Sequence, residues 1–362
     1  MRGRLSSRVR MEATSPALLV RDLEAFGVSE FLARFPADRP RLADWAAALD
    51  SLPADVRPLH EFLLLGRPVM TAALPRSLRD FFPVLQTAGI LDRSGETAQL
   101  VGTVLMRPRG VWLFAAPPSP FETDLYFGAD SVELTGQLDV RPGSSVLDLC
   151  SGTGLQALAT ALRGATVHAV EINKVAVAVA EANIILNGCE DRVSLWSGDL
   201  YAPLPEGTVY DQVIANLPFL PGAANGPDGF AVGRAILRRL SEWLAPDGTA
   251  CLTALLPITA EGAVLPEGVR EFAWRTGREL VVRLGEGWAV DAGSSLVQTL
   301  ADEAAGSEGD FAACVTAIVG EYERRGVIAA RTAFLHFGRA AGATAVRFAD
   351  PASVDPVIEE GS

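Results

Sequence analysis

The sequence has few residues of the types that bind metals or form disulfides. Its four cysteines form no CxxC pair, and no cysteine and histidine stand at the spacing typical of zinc ligands. Its three histidines are isolated, and we interpret each as a buried structural residue. These side chains are Cys150, Cys189, Cys251, Cys314, His60, His168 and His336. The sequence therefore predicts no metal site.

Long apolar runs are also absent. No stretch reaches the roughly 18–20 apolar residues that a membrane-spanning helix needs. Residues 1–11 are basic, but no apolar segment of signal-peptide length follows them. We therefore expect residues 1–11 to be a disordered leader, and the protein to be cytoplasmic and without a membrane partner.

Positive charge is scarce, because 31 lysines and arginines stand against 44 acidic residues, for a net charge of −13. Proteins that bind nucleic acids draw much of their affinity from basic faces that neutralise phosphates. The acidic balance therefore disfavours nucleic acid as a partner. Nothing in the composition fixes the oligomeric state.

The sequence does have enough apolar material for large cores, because 49% of its 362 residues are hydrophobic. The order of predicted elements indicates an N-terminal domain, a proline-rich linker, a catalytic domain with a helical insertion, and a flexible tail. The predicted ranges are 12–116 for the N-terminal domain, 116–120 for the linker, 121–348 for the catalytic domain, about 293–325 for the insertion, and 349–362 for the tail.

Helices followed by a hairpin make the second half of the N-terminal domain similar to a winged helix. A helix begins near Pro75, and two predicted strands, Gln99–Met106 and Gly110–Ala115, follow it. Such a unit often binds DNA, but the recognition stretch Ser77–Gly89 holds only one arginine, Arg79, among mostly apolar side chains. We therefore interpret this domain as a cap or a substrate-binding domain.

Beyond residue 141 predicted strands alternate with helices, which is typical of a parallel sheet with helices on both faces. The predicted strands are Ser145–Cys150, Thr166–Ile172, Val193–Ser197, Gln212–Ala215, Thr249–Leu256, Glu279–Leu284 and Arg331–Phe337. The predicted fold class is therefore α/β, a Rossmann-like doubly wound sheet preceded by a helical and winged-helix-like domain.

The first of these strands carries an informative motif. It contains Asp148 and leads into a loop of small residues that reads Cys-Ser-Gly-Thr-Gly and opens a helix. The third glycine of dinucleotide-binding loops is missing, and an acid before the loop suits a cationic group better than a phosphate. Glu171 near the end of the second strand suits ribose hydroxyls, and Asp199 after the third strand suits the amine of adenine. Together the three acids indicate S-adenosylmethionine.

The fourth strand runs into the motif Asn216-Leu217-Pro218-Phe219. Taken alone, Asn-X-Pro at a strand end is good turn chemistry. Because it follows three acids in this order, we interpret Asn216 as an acceptor that holds the N–H of a nucleophile.

On these motifs, residues 121–256 resemble class I S-adenosylmethionine-dependent methyltransferases, in the branch that carries an N-[PL]-P-[FYW] motif. Asp124–Ser131 and Gly226–Phe230 are similar to segments of the release-factor glutamine methyltransferases in that branch. The whole arrangement also looks like a group of actinobacterial methyltransferase-like proteins. Most relatives carry Pro where this chain has Leu217, so the loop here loses a rigid φ.

The resemblance implies a role for each matching residue. Asp148, Gly152 and Gly154 would face the methionine part of the cofactor, while Asn216 and the Leu217 carbonyl would accept from the target nitrogen. The full set implied for the cofactor is Tyr126, Phe127, Asp148, Cys150, Ser151, Gly152, Gly154, Glu171, Ile172, Asp199, Leu200 and Asn216. The set implied for catalysis is Asn216, Leu217, Pro218 and Phe219, with Phe219 stacking on a planar group.

We therefore expect an S-adenosylmethionine-dependent transferase that methylates a nitrogen of a small molecule, such as a secondary metabolite, or of a peptide or protein side chain. Three alternatives stay open. One is a cyclase of the azetidine-2-carboxylate synthase type, which would consume the cofactor and release methylthioadenosine. The others are an rRNA or tRNA amino methyltransferase and a winged-helix regulator that senses the cofactor.

Overall fold

The computed structural model describes residues 16–117, 124–221, 225–226, 228–305, 309–340 and 346–349. The chain divides into two compact units, one formed by residues up to Thr208 and the other by residues from Val209. The predicted leader 1–11 lies outside the described residues, as do residues 350–362 of the predicted tail. The predicted domain boundaries stay a prediction.

The elements have the following bounds. The helices are α1 (Pro16–Ala25), α2 (Val28–Leu32), α3 (Leu42–Leu49), α4 (Arg57–Leu65), α5 (Arg76–Thr87), α6 (Ala129–Gln137), α7 (Leu155–Leu162), α8 (Lys174–Leu186), α9 (Ala231–Trp243), α10 (Val269–Thr276), α11 (Ser295–Ala305) and α12 (Phe311–Arg324). The strands are β1 (Val69–Met70), β2 (Leu91–Ser94), β3 (Thr97–Leu100), β4 (Val104–Met106), β5 (Leu113–Ala115), β6 (Ser145–Leu149), β7 (Thr166–Glu171), β8 (Val193–Ser197), β9 (Tyr210–Ala215), β10 (Leu244–Thr259), β11 (Gly262–Ala263), β12 (Arg278–Ala289), β13 (Val327–Ala340) and β14 (Val346–Ala349).

The first unit begins with helices and a small sheet in the order β1-β3-β2. Helix α5 is amphipathic, and Leu78, Phe81 and Leu85 lie buried on one of its faces. The succession of α4, β1, α5 and the β2–β3 hairpin is consistent with a winged helix. That description of the N-terminal domain stays a prediction.

The predicted strand Gln99–Met106 is wrong as a single strand. Gly102 has a φ of 64°, a left-handed conformation that interrupts the extended chain. The residues before it form β3, which pairs with β1 and β2, and the residues after it form β4, which pairs with β5. One predicted hairpin is therefore two separate pairings.

Strands β6, β7 and β8 lie parallel, with α7 and α8 as the connections between them. Their register pairs Leu149 with Val170 and Glu171 with Ser197. Because the three strands run in one direction, their carboxyl ends meet at one edge of the sheet, where α/β proteins place ligands. The predicted α/β class is confirmed.

The second unit holds a mixed set of strands. Strand β9 runs parallel to β10, β10 and β12 both pair antiparallel with β13, and β14 runs parallel to β12. The predicted strands Thr249–Leu256 and Glu279–Leu284 lie inside β10 and β12, which are longer. Strand β14 at Val346–Ala349 was not predicted.

Helices α11 and α12 lie in the chain between β12 and β13 and cover an apolar cluster. Leu296 and Leu300 of α11 and Tyr322 of α12 are buried there, together with residues of the strands. Phe219 and Leu220 pack against the same cluster. These helices therefore supply part of the apolar surroundings of the Asn216–Phe219 motif.

Asn183 on α8 and Asn187 just after its end bind β5 and the residue before it. Asn183 accepts from the Phe114 N–H at 2.8 Å and donates to the Phe114 carbonyl at 3.0 Å. One turn later, Asn187 accepts from the Trp112 N–H at 3.1 Å and donates to the Trp112 carbonyl at 2.7 Å. Each amide thus pairs with both backbone groups of one residue, as a neighbouring strand would. Asn183 also donates to the Thr153 carbonyl at 2.9 Å.

No helix among the described residues is long and apolar enough to cross a membrane.

The two asparagines give a testable difference in stability. We expect Asn183→Leu to lower the free energy of unfolding by about 3–5 kcal/mol, because it leaves three buried backbone groups without partners. Asn187→Leu should cost about 1–2 kcal/mol, because Asn187 is only half-buried. Denaturant titrations of both variants and the parent measure the costs. Equal costs would show that the buried bonds of Asn183 do not hold this segment.

Candidate active site

The loop after β6 has an unusual backbone. Cys150, Gly152 and Gly154 have φ values of 56°, 54° and 92°, all in the left-handed region. For a residue with a side chain this conformation is costly, and such residues concentrate at functional sites. Open space surrounds the position that a Cβ at Gly152 would occupy, so the loop presents bare backbone there.

Asp148 is completely buried and joins β6 to the start of α7. Its Oδ2 accepts from the Ser151 hydroxyl at 2.8 Å and from the Ala157 N–H at 3.1 Å. Its Oδ1 is buried and has no hydrogen-bond partner among the described residues. Burial raises the pKa of Asp148 to about 7, against the lowering effect of its two hydrogen bonds. Its predicted role toward the cofactor's amino group stays a prediction.

Glu171 joins the loop after β6 to the turn after β7. One oxygen, Oε2, accepts from the Gly152 N–H at 2.8 Å, and the other, Oε1, accepts from the Asn173 N–H at 2.8 Å. A carboxylate oxygen has two acceptor sites, so each oxygen keeps one for a further donor such as a ribose hydroxyl. Asn173 continues the chain of contacts by donating to Asp124 at 2.8 Å. The neighbouring Ile172 is 65% exposed.

The turn after β8 carries the third acid. Asp199 is exposed, and its carbonyl accepts from the Ala202 N–H at 2.9 Å. Leu200 has a φ of 44°. Among the described residues only Arg109, Cys150 and Leu200 combine a side chain with a positive φ. Two of these three, Cys150 and Leu200, follow β6 and β8, the strands on either side of β7, which indicates a functional site at that edge.

The three predicted acids all affect the thiol of Cys150. Burial raises the pKa of the Cys150 thiol far above its usual range, and the carboxylates of Glu171, Asp148 and Asp199 raise it further. All three carboxylates are therefore close enough to Cys150 to act on its thiol electrostatically. Their individual roles in binding a cofactor stay a prediction.

Two aromatic residues precede the sheet. Tyr126 is 37% exposed, and its hydroxyl donates to Asp130 at 2.6 Å. Phe127 is only 3% exposed and belongs to the core. A role for either residue over a cofactor stays a prediction, and Tyr126 has the more accessible surface.

The second unit contains the Asn216–Phe219 motif, which follows β9. Asn216 Oδ1 accepts from the Thr253 hydroxyl at 3.0 Å, and the Leu217 N–H donates to the same hydroxyl oxygen at 2.7 Å. Pro218 is exposed and Phe219 is half-buried. Sequence reasoning missed Thr253, because no motif names a residue on the next strand.

The segment after the motif also forms hydrogen bonds with the motif. The buried Asn225 donates to the Pro218 carbonyl and, at 3.4 Å, to the Leu220 carbonyl. Asp228, in the stretch predicted to resemble a GxDG segment, accepts from both terminal nitrogens of Arg234. A bidentate pair of this kind fixes the geometry of the turn that leads into α9.

Among the described residues no group of three or more His, Cys, Asp and Glu side chains could hold a metal ion.

Comparisons with known proteins match this part of the chain. Residues 129–265 match the family model of the methyltransferase small domain. The ribosomal protein uL3 glutamine methyltransferase of Bradyrhizobium diazoefficiens is 38% identical over 146 residues, which are 34% of this chain and 45% of that protein. The release factor glutamine methyltransferase of Gloeobacter violaceus is 33% identical over 133 residues, 31% of this chain and 46% of that protein.

The ribosomal protein L11 methyltransferase of Thermus thermophilus is 33% identical over 159 residues, 42% of this chain and 57% of that protein. The chain thus spans about half the length of the curated relatives it matches. Among solved structures, the tRNA m1G37 methyltransferase of M. jannaschii aligns with a TM-score of 0.41 at 12% identity, over 67% of this chain and 60% of that chain, a likeness too low to carry an argument. The family model and the relatives confirm the predicted resemblance to S-adenosylmethionine-dependent methyltransferases.

Asp148 gives a prediction about pH. Its folded pKa of about 7 lies above the usual value of 3.8 for an aspartate, so between these values the folded state keeps a proton that the unfolded state has lost. The contribution of Asp148 to stability is therefore full below about pH 4 and falls as the pH rises to about 7. We expect the unfolding free energy of the parent, minus that of Asp148→Asn, to fall by about 1 kcal/mol per pH unit in this window. Denaturant titrations at several pH values measure it, and a flat difference would contradict the raised pKa.

Proposed function

We propose that this protein is an S-adenosylmethionine-dependent methyltransferase that acts on an amide or amine nitrogen of a peptide or protein side chain. The observation that carries the proposal is a hydrogen bond that fixes Asn216, the residue after the parallel strand β9. Asn216 Oδ1 accepts this bond from the Thr253 hydroxyl. An acceptor oxygen in a fixed position is what a nitrogen nucleophile with hydrogens requires. The family match of residues 129–265 supports the same reaction class.

The residues at the edge of the first unit fit the proposed cofactor. The loop around Gly152 offers bare backbone and open space to a ligand. Glu171 keeps an acceptor site on each oxygen for the ribose hydroxyls. Asp199 is exposed beside the left-handed Leu200 and would accept from the adenine amine. Asp148, with a buried unpartnered oxygen, would favour the cationic methionine end.

Methyl transfer requires little of the protein beyond placement of the two reactants. When bound, the cofactor supplies an electrophilic methyl group on a sulfonium. Asn216 Oδ1, and the Leu217 carbonyl with it, would accept the hydrogens of the target nitrogen and so orient its lone pair. Alignment of two reactants can contribute on the order of 7–11 kcal/mol, so no strong general base is required.

Two observations support a peptide or protein acceptor. The three relatives described above are named for glutamine or ribosomal-protein methylation. The net charge of −13 opposes binding to nucleic acid, whose phosphates need basic faces. The apolar cluster against which Phe219 and Leu220 pack would also give the substrate side chain a water-poor surface near Asn216.

The first experiment compares product formation with and without an acceptor. The purified protein is incubated with S-adenosylmethionine alone, and then with a library of glutamine- and lysine-containing peptides, while mass spectrometry follows the products. We expect S-adenosylhomocysteine to form only when a peptide is present. Methylthioadenosine forming without acceptor would instead establish the cyclase. Transfer to small amines or to RNA alone would exclude a peptide acceptor.

Asp199 tests the cofactor site. We expect Asp199→Ala to raise the Kd for S-adenosylmethionine about 10- to 100-fold, because it removes an acceptor for a bond worth about 1.5–3 kcal/mol. Asp191→Ala is the matched control, since Asp191 is also an exposed acid near β8 and lies outside the turn. Titration calorimetry measures both. Equal Kd values for the two variants would remove Asp199 from the site.

Asn216 tests the acceptor site. We expect Asn216→Ala to lower the rate of methyl transfer about 100-fold, because a misplaced nucleophile loses alignment. The Kd for S-adenosylmethionine should stay within about threefold of the parent, because the alanine removes only one of the proposed cofactor contacts. Asn216→Asp keeps an acceptor oxygen and should be intermediate. Normal transfer by Asn216→Ala would end the proposed role of this residue.

A further inference from the structure

Thr253 is a buried residue on β10 to which neither the sequence motifs nor the family match gives a role. We propose that Thr253 is a positioning residue for the Asn216–Phe219 motif, and that it replaces the rigidity that a proline would give at position 217. The inference rests on the proposed function in one respect, because it takes Asn216 as the partner of the target nitrogen.

The strand register brings Thr253 to the motif. The parallel ladder between β9 and β10 ends with Ala215 opposite Leu252, so Asn216 and Thr253 are the next residues of the two strands. Thr253 is 0% exposed, and Leu217 is 3% exposed. The contact is therefore made away from water, where hydrogen bonds of neutral groups are strongest and missing partners are most costly.

The hydroxyl group of Thr253 has one proton, and the two contacts fix where that proton points. The Leu217 N–H donates to Oγ1 at 2.7 Å, so the hydroxyl acts as an acceptor there. Its own proton is then directed to Asn216 Oδ1 at 3.0 Å. The resulting sequence of bonds runs from Leu217 through Thr253 to Asn216. It holds the Asn216 amide with its oxygen on a defined side.

Leu217 explains why this chain needs the hydroxyl. The N-[PL]-P-[FYW] pattern allows proline at this position, and a proline has a fixed φ and no N–H to satisfy. Leucine brings a free φ and a buried N–H, which needs an acceptor. Thr253 meets both needs with one group, because the bond from the Leu217 N–H also restrains the backbone. Leucine at position 217 and a hydroxyl at position 253 therefore act as a pair.

Kinetics of five variants test this pair, with a glutamine-containing peptide that serves as acceptor in the transfer assay. Thr253→Val keeps the shape and removes the hydroxyl, so we expect kcat to fall about tenfold or more, while the Kd for S-adenosylmethionine stays within about threefold. Thr253→Ser keeps the hydroxyl and should retain most of kcat. Thr103→Val is the control, because Thr103 is also buried and lies between β3 and β4 in the first unit. It should leave kcat unchanged.

The decisive variant combines two changes. Leu217→Pro removes the buried N–H and fixes φ while it keeps the carbonyl at position 217, so it provides a second background whose own kcat is measured first. In the background of Leu217→Pro, Thr253→Val should lower kcat by less than the loss of about tenfold or more expected in the parent, because only the bond to Asn216 remains to be lost. Equal losses from Thr253→Val in both backgrounds would overturn the pairing and leave Thr253 as a core residue.

A second measurement decides the inference even if no peptide accepts a methyl group. Selective ¹⁵N labelling follows the Leu217 amide and the Asn216 side-chain amide by NMR. We expect Thr253→Val to speed hydrogen exchange at Leu217 about tenfold and to broaden or shift the Asn216 side-chain signals, and Thr253→Ser to do neither. Unchanged spectra in Thr253→Val would overturn the positioning role. Changed spectra without transfer would leave the positioning intact and count against the proposed function alone.

Discussion

The backbone of the loop after β6 is the constraint on which the first unit depends. A tight loop at the edge of a sheet buries N–H and C=O groups that no strand or helix pairs, and each needs a partner. Side chains from three elements supply the partners. Glu171 accepts from Gly152, Asp148 accepts from Ala157 at the start of α7, and Asn183 donates to Thr153. The loop is therefore held in its left-handed conformation by the molecule itself, and a ligand would meet a preformed surface.

The same logic connects the N-terminal part to this loop. Asn183 binds the loop with one amide hydrogen and the Phe114 backbone with the rest of its amide. One side chain therefore pairs with backbone groups of β5 and of the loop after β6. A displacement of β5 would leave buried polar groups without partners. Because unpaired buried groups cost free energy, β5 and the loop after β6 are expected to stay ordered together.

Much of the parallel part of the fold could be predicted from the sequence, because apolar runs ending in Asp148, Glu171 and Asp199 mark strands and their carboxyl ends together. The split of the predicted strand at Gly102 could not, since an isolated glycine is compatible with either a strand or a turn. Thr253 could not be found because its partners lie more than thirty residues away in the chain. Its bonds exist only once β9 and β10 are in register. The amide pairs of α8 are long-range in the same way.

The setting of Cys150 has a chemical consequence for a protein that would handle a methylating agent. A thiolate is a strong nucleophile, and one placed in a loop that faces a sulfonium would be alkylated in time. Burial and the surrounding carboxylates raise the pKa of this thiol, so it stays protonated and weakly reactive. The negative charges proposed to attract the cofactor would thereby also slow alkylation of this thiol, and an enzyme built this way would keep its working lifetime despite the cysteine.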